Sequence, residues 1–228
     1  MSYGFRVLPS PTLGDFDKER LIKISTTDLS DAMFSSGTMS TSIRPLSLKK
    51  GQRIAGRALT VSVPTGSVDV LRVGMQMARP GEVIVVNGCG IETTTLVGGN
   101  MLRAVLRRGV AGFVGDGAVR DLEEIMEDGL PVFARAVAMR HGPNGPDYGE
   151  VNVPIACGNT VVNPGDIIVA DFDGIVAIPD ADLEAVMTKA EGFQSYYASM
   201  QPTIEQGNLY GAEATVEKLR ADGCEFVS

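Results

Sequence analysis

Apolar positions along the first two thirds of the chain fall into two repeating patterns. Over residues 68–78, Val70, Val73 and Met77 recur every three or four positions, which predicts a helix that the following Arg-Pro-Gly ends. The unbroken apolar run at 82–86 is typical of a strand that is buried on both faces. By the same criteria we expect strands at 57–63, 111–114 and 131–138 and helices at 17–25, 27–34, 95–108 and 122–127. This alternation of strand and helix predicts an α/β layer.

The pattern changes after residue 138. A turn-rich loop is expected over 141–149. Short apolar runs beyond it predict strands at 151–155, 160–162, 167–170 and 175–178. We interpret these strands as a β-meander packed against the first half. Pro179 then opens a predicted long helix that reaches about Met200, and a further short helix is expected over 212–221.

Composition narrows the class of protein. The 228 residues are 44% hydrophobic and 21% charged, which is enough for one substantial core and predicts a single compact domain. The formal net charge of −8 argues against nucleic acid as a partner, because binding a phosphate backbone needs lysines and arginines clustered on one face. The densest basic group, Arg103, Arg107 and Arg108, has helical spacing and is interpreted as a solvated face near a helix C-terminus.

The three cysteines, Cys89, Cys157 and Cys224, are far apart and form no CxxC or Cys/His pairing. Neither a zinc site nor a disulfide framework is therefore expected, and a reducing cytoplasm fits best. The N-terminal residues lack the basic-then-apolar order of a signal peptide, and no apolar run approaches the length needed to span a membrane. We expect a cytoplasmic protein with no membrane partner.

The candidate chemistry lies in two turns that each open a helix. The first, Gly-Gly-Asn-Met at 98–101, presents unpaired amide groups and the positive end of a helix dipole, which suit a carboxylate or an enolate. The second turn, at 115–121, places Arg120 where its guanidinium can clamp the same anion. Asp121 adds a hard oxygen ligand of the kind that magnesium takes.

These residues also have structural interpretations. An aspartate at the start of a helix is more often an N-cap than a metal ligand, and two glycines before a helix are often only a flexible loop. Arg135 either supports the site from behind or lies at an interface. His141, the single histidine, is expected at the surface of its Gly/Pro-rich loop rather than in catalysis. Tyr196 and Tyr197 either line a neighbour's pocket or pack against a partner subunit.

Seven short segments together indicate a protein family more specifically than any one of them does alone. The segments lie at 98–101, 108–112, 116–121, 131–135, 149–154, 164–166 and 171–176. Over about residues 20–190 the chain thereby resembles the RraA-like proteins. This family includes class II pyruvate aldolases that act on 4-hydroxy-4-methyl-2-oxoglutarate and 4-carboxy-4-hydroxy-2-oxoadipate, and also regulators of ribonuclease E.

The resemblance implies an α/β fold, a swivelling β/β/α sandwich that forms a single compact domain over residues 1–190. A C-terminal helical extension over 191–228 is then expected to pack on a neighbouring subunit. The resemblance also implies a homo-oligomer, a trimer or a hexamer, with its sites at subunit interfaces.

For the aldolases of this family, the resemblance implies a divalent metal that polarises the carbonyl of a 2-oxo acid, so that cleavage leaves a stabilised pyruvate enolate. The metal is usually Mg²⁺, with Mn²⁺ or another divalent cation as the alternative. Asp121 matches the metal ligand, and Arg120 matches the arginine that contacts the pyruvyl oxygens. The substrate-binding turn matches Gly98, Gly99, Asn100 and Met101, and the amides of the last two match those that hold the carboxylate. A Schiff-base mechanism is disfavoured, because the lysines lie outside this core.

The chain departs from the aldolase pattern at the groups that handle protons. Gly99 stands where aldolase members carry a water-orienting carboxylate, and Asn87 stands where many relatives have aspartate. In aldolase members a neighbouring subunit donates an acidic residue from its long C-terminal helix. The matching position in this chain falls near Tyr196, and Glu191 is a poorly aligned substitute. Loss of a general acid or base typically costs about 100- to 10,000-fold in rate.

Three functions from different classes are compatible with these residues. The first is a divalent-metal-dependent lyase that cleaves or decarboxylates a 2-oxo acid, either a 4-hydroxy-2-oxo acid or oxaloacetate, and releases pyruvate. The second is a non-enzymatic interaction protein like the ribonuclease E regulators. The third is a methyltransferase. It is the weakest candidate, because Gly88-Cys89-Gly90 does not continue as a cofactor-binding glycine loop. We expect the lyase.

Overall fold

Four parallel strands form the centre of the molecule, because most of their residues are apolar and buried. They are β3 (Ile54–Ser62), β4 (Val83–Val97), β5 (Gly112–Val119) and β6 (Val132–Val137), paired in that order. The computed structural model describes residues 5–63, 68–142 and 148–226, so residues 143–147 of the predicted turn-rich loop lie outside the described part.

The edges of this sheet come from both ends of the chain. β2 (Arg44–Ser47) runs antiparallel to β6, and β7 (Gly149–Val151) runs antiparallel to the end of β3. β1 (Phe5–Val7) pairs in parallel with β7. None of these three short strands was predicted with its observed bounds, since edge strands of three or four residues carry too few positions to show a period.

The predicted β-meander is wrong. β10 (Ile167–Ala170) pairs with the first half of β3 and with β11 (Ile175–Ile178), so nine strands of the described residues join one sheet. β8 (Ile155–Cys157) and β9 (Thr160–Val162) form a separate hairpin. The run predicted as one strand at 151–155 is divided between β7 and β8, because Asn152 adopts a left-handed conformation with φ 56°.

Helices cover one face of the central strands, and the β8–β9 hairpin covers the other. α3 (Val68–Met77), α4 (Gly99–Arg107) and α5 (Leu122–Asp128) supply the helical layer. Alternate residues of β4 face opposite layers: Ile84 and Val86 pack with the helices, and Val83 and Val85 pack with the hairpin. The expected β/β/α layering of a single compact α/β domain is thus confirmed.

A third apolar cluster lies where β10 and β11 meet the remaining helices. α1 (Lys18–Leu21), α2 (Thr26–Ala32) and α6 (Leu183–Glu205) surround it, and a 3₁₀ turn at Asp180–Asp182 leads into α6. The buried residues of α6 end at Ala190, although the helix continues through Pro202, and α7 (Ala212–Ala221) follows it. Within the described chain, no helix combines the length and apolar character that crossing a membrane requires.

The helix predicted at 95–108 begins only at Gly99. Thr95 and Val97 belong to β4, where they pair with Ala118 and Val119 of β5. The apolar spacing of Val97, Met101 and Val105 fits a helix, so periodicity extended the helix one turn too far. Strand pairing, which periodicity does not report, determines where the helix begins.

The buried carboxylate of Asp171, in the turn between β10 and β11, binds Thr26 at the start of α2 and Arg53 just before β3. Asp171 accepts hydrogen bonds from the hydroxyl of Thr26 at 2.6 Å and from Nε of Arg53 at 3.0 Å. Burial by itself raises the pKa of Asp171, but the hydrogen bonds from Thr26, Arg53 and the amide of Asp173 outweigh it, so the pKa is lowered from its ordinary value. The ionised carboxylate therefore stabilises the folded state.

We expect Asp171→Asn to lower the free energy of unfolding at pH 7 by about 2 kcal/mol, because it removes a charged acceptor of several hydrogen bonds. A carboxyl whose folded pKa is lowered contributes stability above its unfolded pKa, near 3.9, and loses that contribution as the pH falls further. The difference between variant and wild type should therefore shrink below about pH 4. Urea unfolding at pH 7 and pH 3.5 measures it, and an equal difference at both values contradicts the assignment.

Candidate functional site

The pairing of β4 with β5 brings the two predicted turns side by side. Val97 and Val119 are the last partners in the register, and the amide of Arg120 donates to the carbonyl of Val97 at 3.1 Å. Helices α4 and α5 begin immediately after these positions. The turn at 98–101 and the pair Arg120 and Asp121 therefore share one edge of the sheet, at the carboxyl ends of two parallel strands.

Asp121 joins the two helix starts. Its backbone is left-handed, with φ 63°, and its side chain makes no capping hydrogen bond to its own helix α5. Instead, Oδ2 accepts a hydrogen bond from the amide of Gly99 at 3.0 Å, at the N-terminus of α4. The structural interpretation of Asp121 as a cap thus holds in a modified form: the carboxylate stabilises the start of the neighbouring helix.

The amides of the first turn of α4 differ in what they can offer a ligand. The amide of Gly99 is taken by Asp121, and the amide of Met101 donates to the carbonyl of Gly98 at 3.1 Å. Among the described residues no acceptor is seen for the amide of Asn100, whose residue is exposed. Asn100 is therefore the amide of this turn that is best placed to meet an anion.

Arg120 and Asp121 form a loose pair. Nε of Arg120 lies 3.7 Å from Oδ2 of Asp121, and the side chains are 39% and 38% exposed. This separation exceeds a normal hydrogen bond, so the guanidinium keeps donors for another partner. Both side chains can reach a small molecule from solvent.

Gly98 allows this close approach. A methyl group placed on its Cα would lie 2.6 Å from Oδ2 of Asp121 and 3.0 Å from Nε of Arg120. The backbone at Gly98 is extended, with φ −117°, so conformation does not require glycine here. A larger residue at this position would displace the two charged side chains from their present arrangement.

Sequence reasoning missed a second carboxylate beside Gly99. Glu124, in the first turn of α5, places Oε2 3.2 Å from the position that a methyl group on Gly99 would occupy. Nη2 of Arg103 donates to this oxygen at 3.2 Å, and Nε of Arg103 donates to Asp128 at 2.8 Å. The available signal was the position of Glu124 in the first turn of the helix predicted at 122–127, three residues after Asp121.

These contacts correct the interpretation of Arg103 as part of a solvated face. Its guanidinium bridges α4 to α5 through two carboxylates. Hydrogen bonding to Asp128, with a smaller contribution from Glu124, raises the pKa of Arg103 above its ordinary value. Arg103 is therefore a fixed cation between the two helices.

The donor set limits which metals the site can hold. In the described part of the chain, no three His, Cys, Asp or Glu side chains cluster closely enough to hold a metal ion between them. A closed zinc site is thus not supported here. One half-exposed carboxylate, with Oδ1 of Asp121 left to bind a cation, fits Mg²⁺ or Mn²⁺, since Mg²⁺ keeps several waters beside one or two carboxylates.

Other residues named from the sequence have partners elsewhere. Both carboxylate oxygens of Glu191 bind Arg20, at 2.7 and 2.8 Å, which lowers the pKa of Glu191. Within its own chain Glu191 is therefore an ionised partner of Arg20 rather than a proton donor. The side chain of Asn87 accepts from the amide of Cys89 at 2.9 Å and so supports a turn.

Arg135 forms an ion pair with Asp116, which also accepts a hydrogen bond from the amide of Gly158 at 3.1 Å. Asp116 is buried, and these two contacts connect β5 and β6 to the β8–β9 hairpin. His141 is exposed, as expected, and contacts the neighbouring carbonyl of Gly142.

We expect Gly98→Ala to reduce the free energy of unfolding by about 0.5 to 1.5 kcal/mol, because the added methyl must displace the carboxylate of Asp121 and weaken its hydrogen bond to the amide of Gly99. Gly192→Ala is the matched control. It lies in α6 with open space around its Cα, so alanine should stabilise the protein by about 0.5 to 1 kcal/mol. Urea unfolding measures both, and equal effects of the two substitutions contradict the close approach at Gly98.

Comparison with known proteins shows the family to which the chain belongs. The family model described as RraA-like, Aldolase/RraA, matches residues 26–177. A Halalkalibacterium halodurans protein with the provisional name 4-hydroxy-4-methyl-2-oxoglutarate aldolase is 34% identical over 86% of this chain and 91% of its own length. The 4-hydroxy-4-methyl-2-oxoglutarate aldolase of Thermus thermophilus is 36% identical over 56% of this chain and 77% of its own length.

A solved structure extends the comparison to three dimensions. The RNA-processing inhibitor RraA of Thermus thermophilus superposes with a TM-score of 0.61 at 33% identity, covering 68% of this chain and 92% of that one. The region that the family model matches, residues 26–177, contains the four central parallel strands, both turns and the helices α4 and α5. The chain belongs to the RraA-like family, which is described as Aldolase/RraA.

Proposed function

We propose that the protein is a divalent-metal-dependent lyase that cleaves or decarboxylates a 2-oxo acid and releases pyruvate. A 4-hydroxy-2-oxo acid or oxaloacetate is the proposed substrate. The observation that carries the proposal is the half-exposed pair of Arg120 and Asp121 at the N-terminus of α4. The names of the aldolase relatives support the same reaction class.

The residues of the chain have separate tasks in this reaction. Arg120 donates hydrogen bonds to the oxygens of the substrate's pyruvyl part, where negative charge increases as the carbon–carbon bond breaks. The amide of Asn100 and the positive end of α4 bind the substrate carboxylate. Asp121 would hold Mg²⁺, Mn²⁺ or another divalent cation through Oδ1, and that cation would supply the polarisation of the 2-oxo group.

A non-enzymatic regulatory role is the second candidate. The observation in its favour is the likeness to the RNA-processing inhibitor RraA, whose name describes inhibition rather than turnover. This role needs a protein partner and does not need Asp121 to bind a metal. Metal-dependent turnover therefore discriminates between the two candidates.

We propose a cytoplasmic homo-oligomer, a trimer or a hexamer. Beyond Ala190, none of the described residues is buried, and the exposed apolar side chains there include Tyr196, Leu209 and Tyr210. Packing of this extension on a neighbouring subunit would cover them. The three cysteines are free thiols, which suits a reducing compartment.

Light scattering of the full chain after gel filtration tests the oligomer. A trimeric or hexameric mass is expected, and Leu209→Glu should lower it, because the leucine is 81% exposed in a single chain. Gly174→Ala, which has open space around its Cα and lies outside the extension, should leave the mass unchanged. A monomeric wild type contradicts the proposal.

Pyruvate release tests the lyase. Oxaloacetate and a panel of 4-hydroxy-2-oxo acids are assayed with Mg²⁺ or with EDTA, and pyruvate is detected by coupling to lactate dehydrogenase. We expect Mg²⁺-dependent release that Asp121→Ala and Arg120→Ala each reduce by about 100-fold or more, since removal of one group that stabilises transition-state charge has effects of this size.

Arg107→Ala is the matched control for this assay. Arg107 is exposed at the C-terminal end of α4, so its loss removes the same positive charge as the loss of Arg120 without touching the site. Activity of this variant should equal that of the wild type. Release no faster than with Mg²⁺ alone, on every substrate and with folded protein, contradicts the lyase for this panel.

A further inference from the structure

Glu124 stands out among the charged side chains near the site, because its carboxylate adjoins the turn that Asp121 binds. Oε2 of Glu124 and Cβ of Asp121 each lie 3.2 Å from the position of a methyl group on Gly99. The two atoms are therefore at most about 6.4 Å apart, twice that distance. Asp121 precedes α5 and Glu124 lies in its first turn, so both carboxylates adjoin the start of α4 from the same side of Gly99.

Gly99 leaves the space in which this carboxylate lies. A side chain at position 99 would approach Oε2 of Glu124 at 3.2 Å and Cβ of Asp121 at the same distance. The buried glycine thus allows two carboxylates, rather than one, to adjoin the N-terminus of α4.

Arg103 fixes the orientation of Glu124 without enclosing it. Its contact to Oε2 is 3.2 Å, whereas its contact to Asp128 is 2.8 Å, so Asp128 is the closer partner of the guanidinium. The side chain of Glu124 remains 53% exposed. Its carboxylate therefore has hydrogen-bonding capacity that Arg103 does not use and that faces water.

Resting on the proposed function, we propose that Glu124 is a positioning residue of the metal site. In this arrangement Asp121 binds the cation directly, and Glu124 accepts hydrogen bonds from the water between its carboxylate and the cation. Sites for Mg²⁺ retain several waters, and carboxylates that hold such waters raise metal affinity. Arg103 positions Glu124 from the next turn of α4, and the absence of a side chain at Gly99 leaves space for the carboxylate of Glu124.

Binding of Mn²⁺ tests this role without any need for activity. The affinity of the full chain for Mn²⁺ is measured by electron paramagnetic resonance of the free ion, for wild type and for Glu124→Gln. We expect the variant to bind Mn²⁺ about tenfold more weakly, the size typical of lost partners in the outer shell of a metal site. Equal unfolding midpoints in urea show that the fold is retained.

Two matched controls separate this role from general effects. Glu123→Gln removes the same charge from the adjacent exposed position of α5, and Asp128→Asn removes the other ion pair of Arg103. Both variants should bind Mn²⁺ within about twofold of wild type. If Glu124→Gln resembles them, or if Asp128→Asn weakens binding as much as Glu124→Gln does, Glu124 is only a structural partner of Arg103.

Asp121→Asn distinguishes failure of this inference from failure of the proposed function. It should abolish most Mn²⁺ binding, because it removes the direct ligand. Unchanged binding in Asp121→Asn, or no binding in the wild type, refutes the metal site of the proposed function itself. Loss of binding in Asp121→Asn together with wild-type affinity in Glu124→Gln overturns the role of Glu124 alone.

Discussion

The parallel pairing of β4 with β5 is the constraint on which the site depends. Eight register partners join the two strands, and the last of them places Val97 beside Val119. Each strand then turns directly into a helix, so two helix N-termini lie at one edge of the sheet. Because the core residues on both faces of these strands are buried, a shift of the register would expose them, and the two turns are held in place by the core.

Part of this framework was predictable from the sequence because its signals are local. The apolar run at 82–86 and the glycine after α5 mark a buried strand and a helix end that need no knowledge of distant partners. The start of α4 was not predictable in this way. Its position depends on the pairing of Thr95 with Ala118, residues that are far apart in sequence.

The candidate site shows the same division. The glycines at 98 and 99 and the pair Arg120 and Asp121 were recognisable by residue type, since their chemistry is carried by single positions. Glu124 was missed because an exposed glutamate on a helix is common, and its relation to Gly99 exists only across two elements. Arg103 was misinterpreted for the same reason: helical spacing showed the face it occupies but not the carboxylates opposite.

Asp121 has two structural roles: its side chain accepts a hydrogen bond from the start of α4, and its backbone adopts the left-handed conformation. Accepting the amide hydrogen of Gly99 needs only a side-chain oxygen, and an asparagine caps a helix about as well as an aspartate. The left-handed backbone at φ 63° is also one that asparagine tolerates. Neither the cap nor the turn therefore requires a charge. The loose contact with Arg120 at 3.7 Å, between half-exposed side chains, contributes little to stability. Within the described residues, the negative charge at this position has the positive end of the α4 dipole as its main structural partner. The divalent cation of the proposed function would give the charge a second and stronger partner.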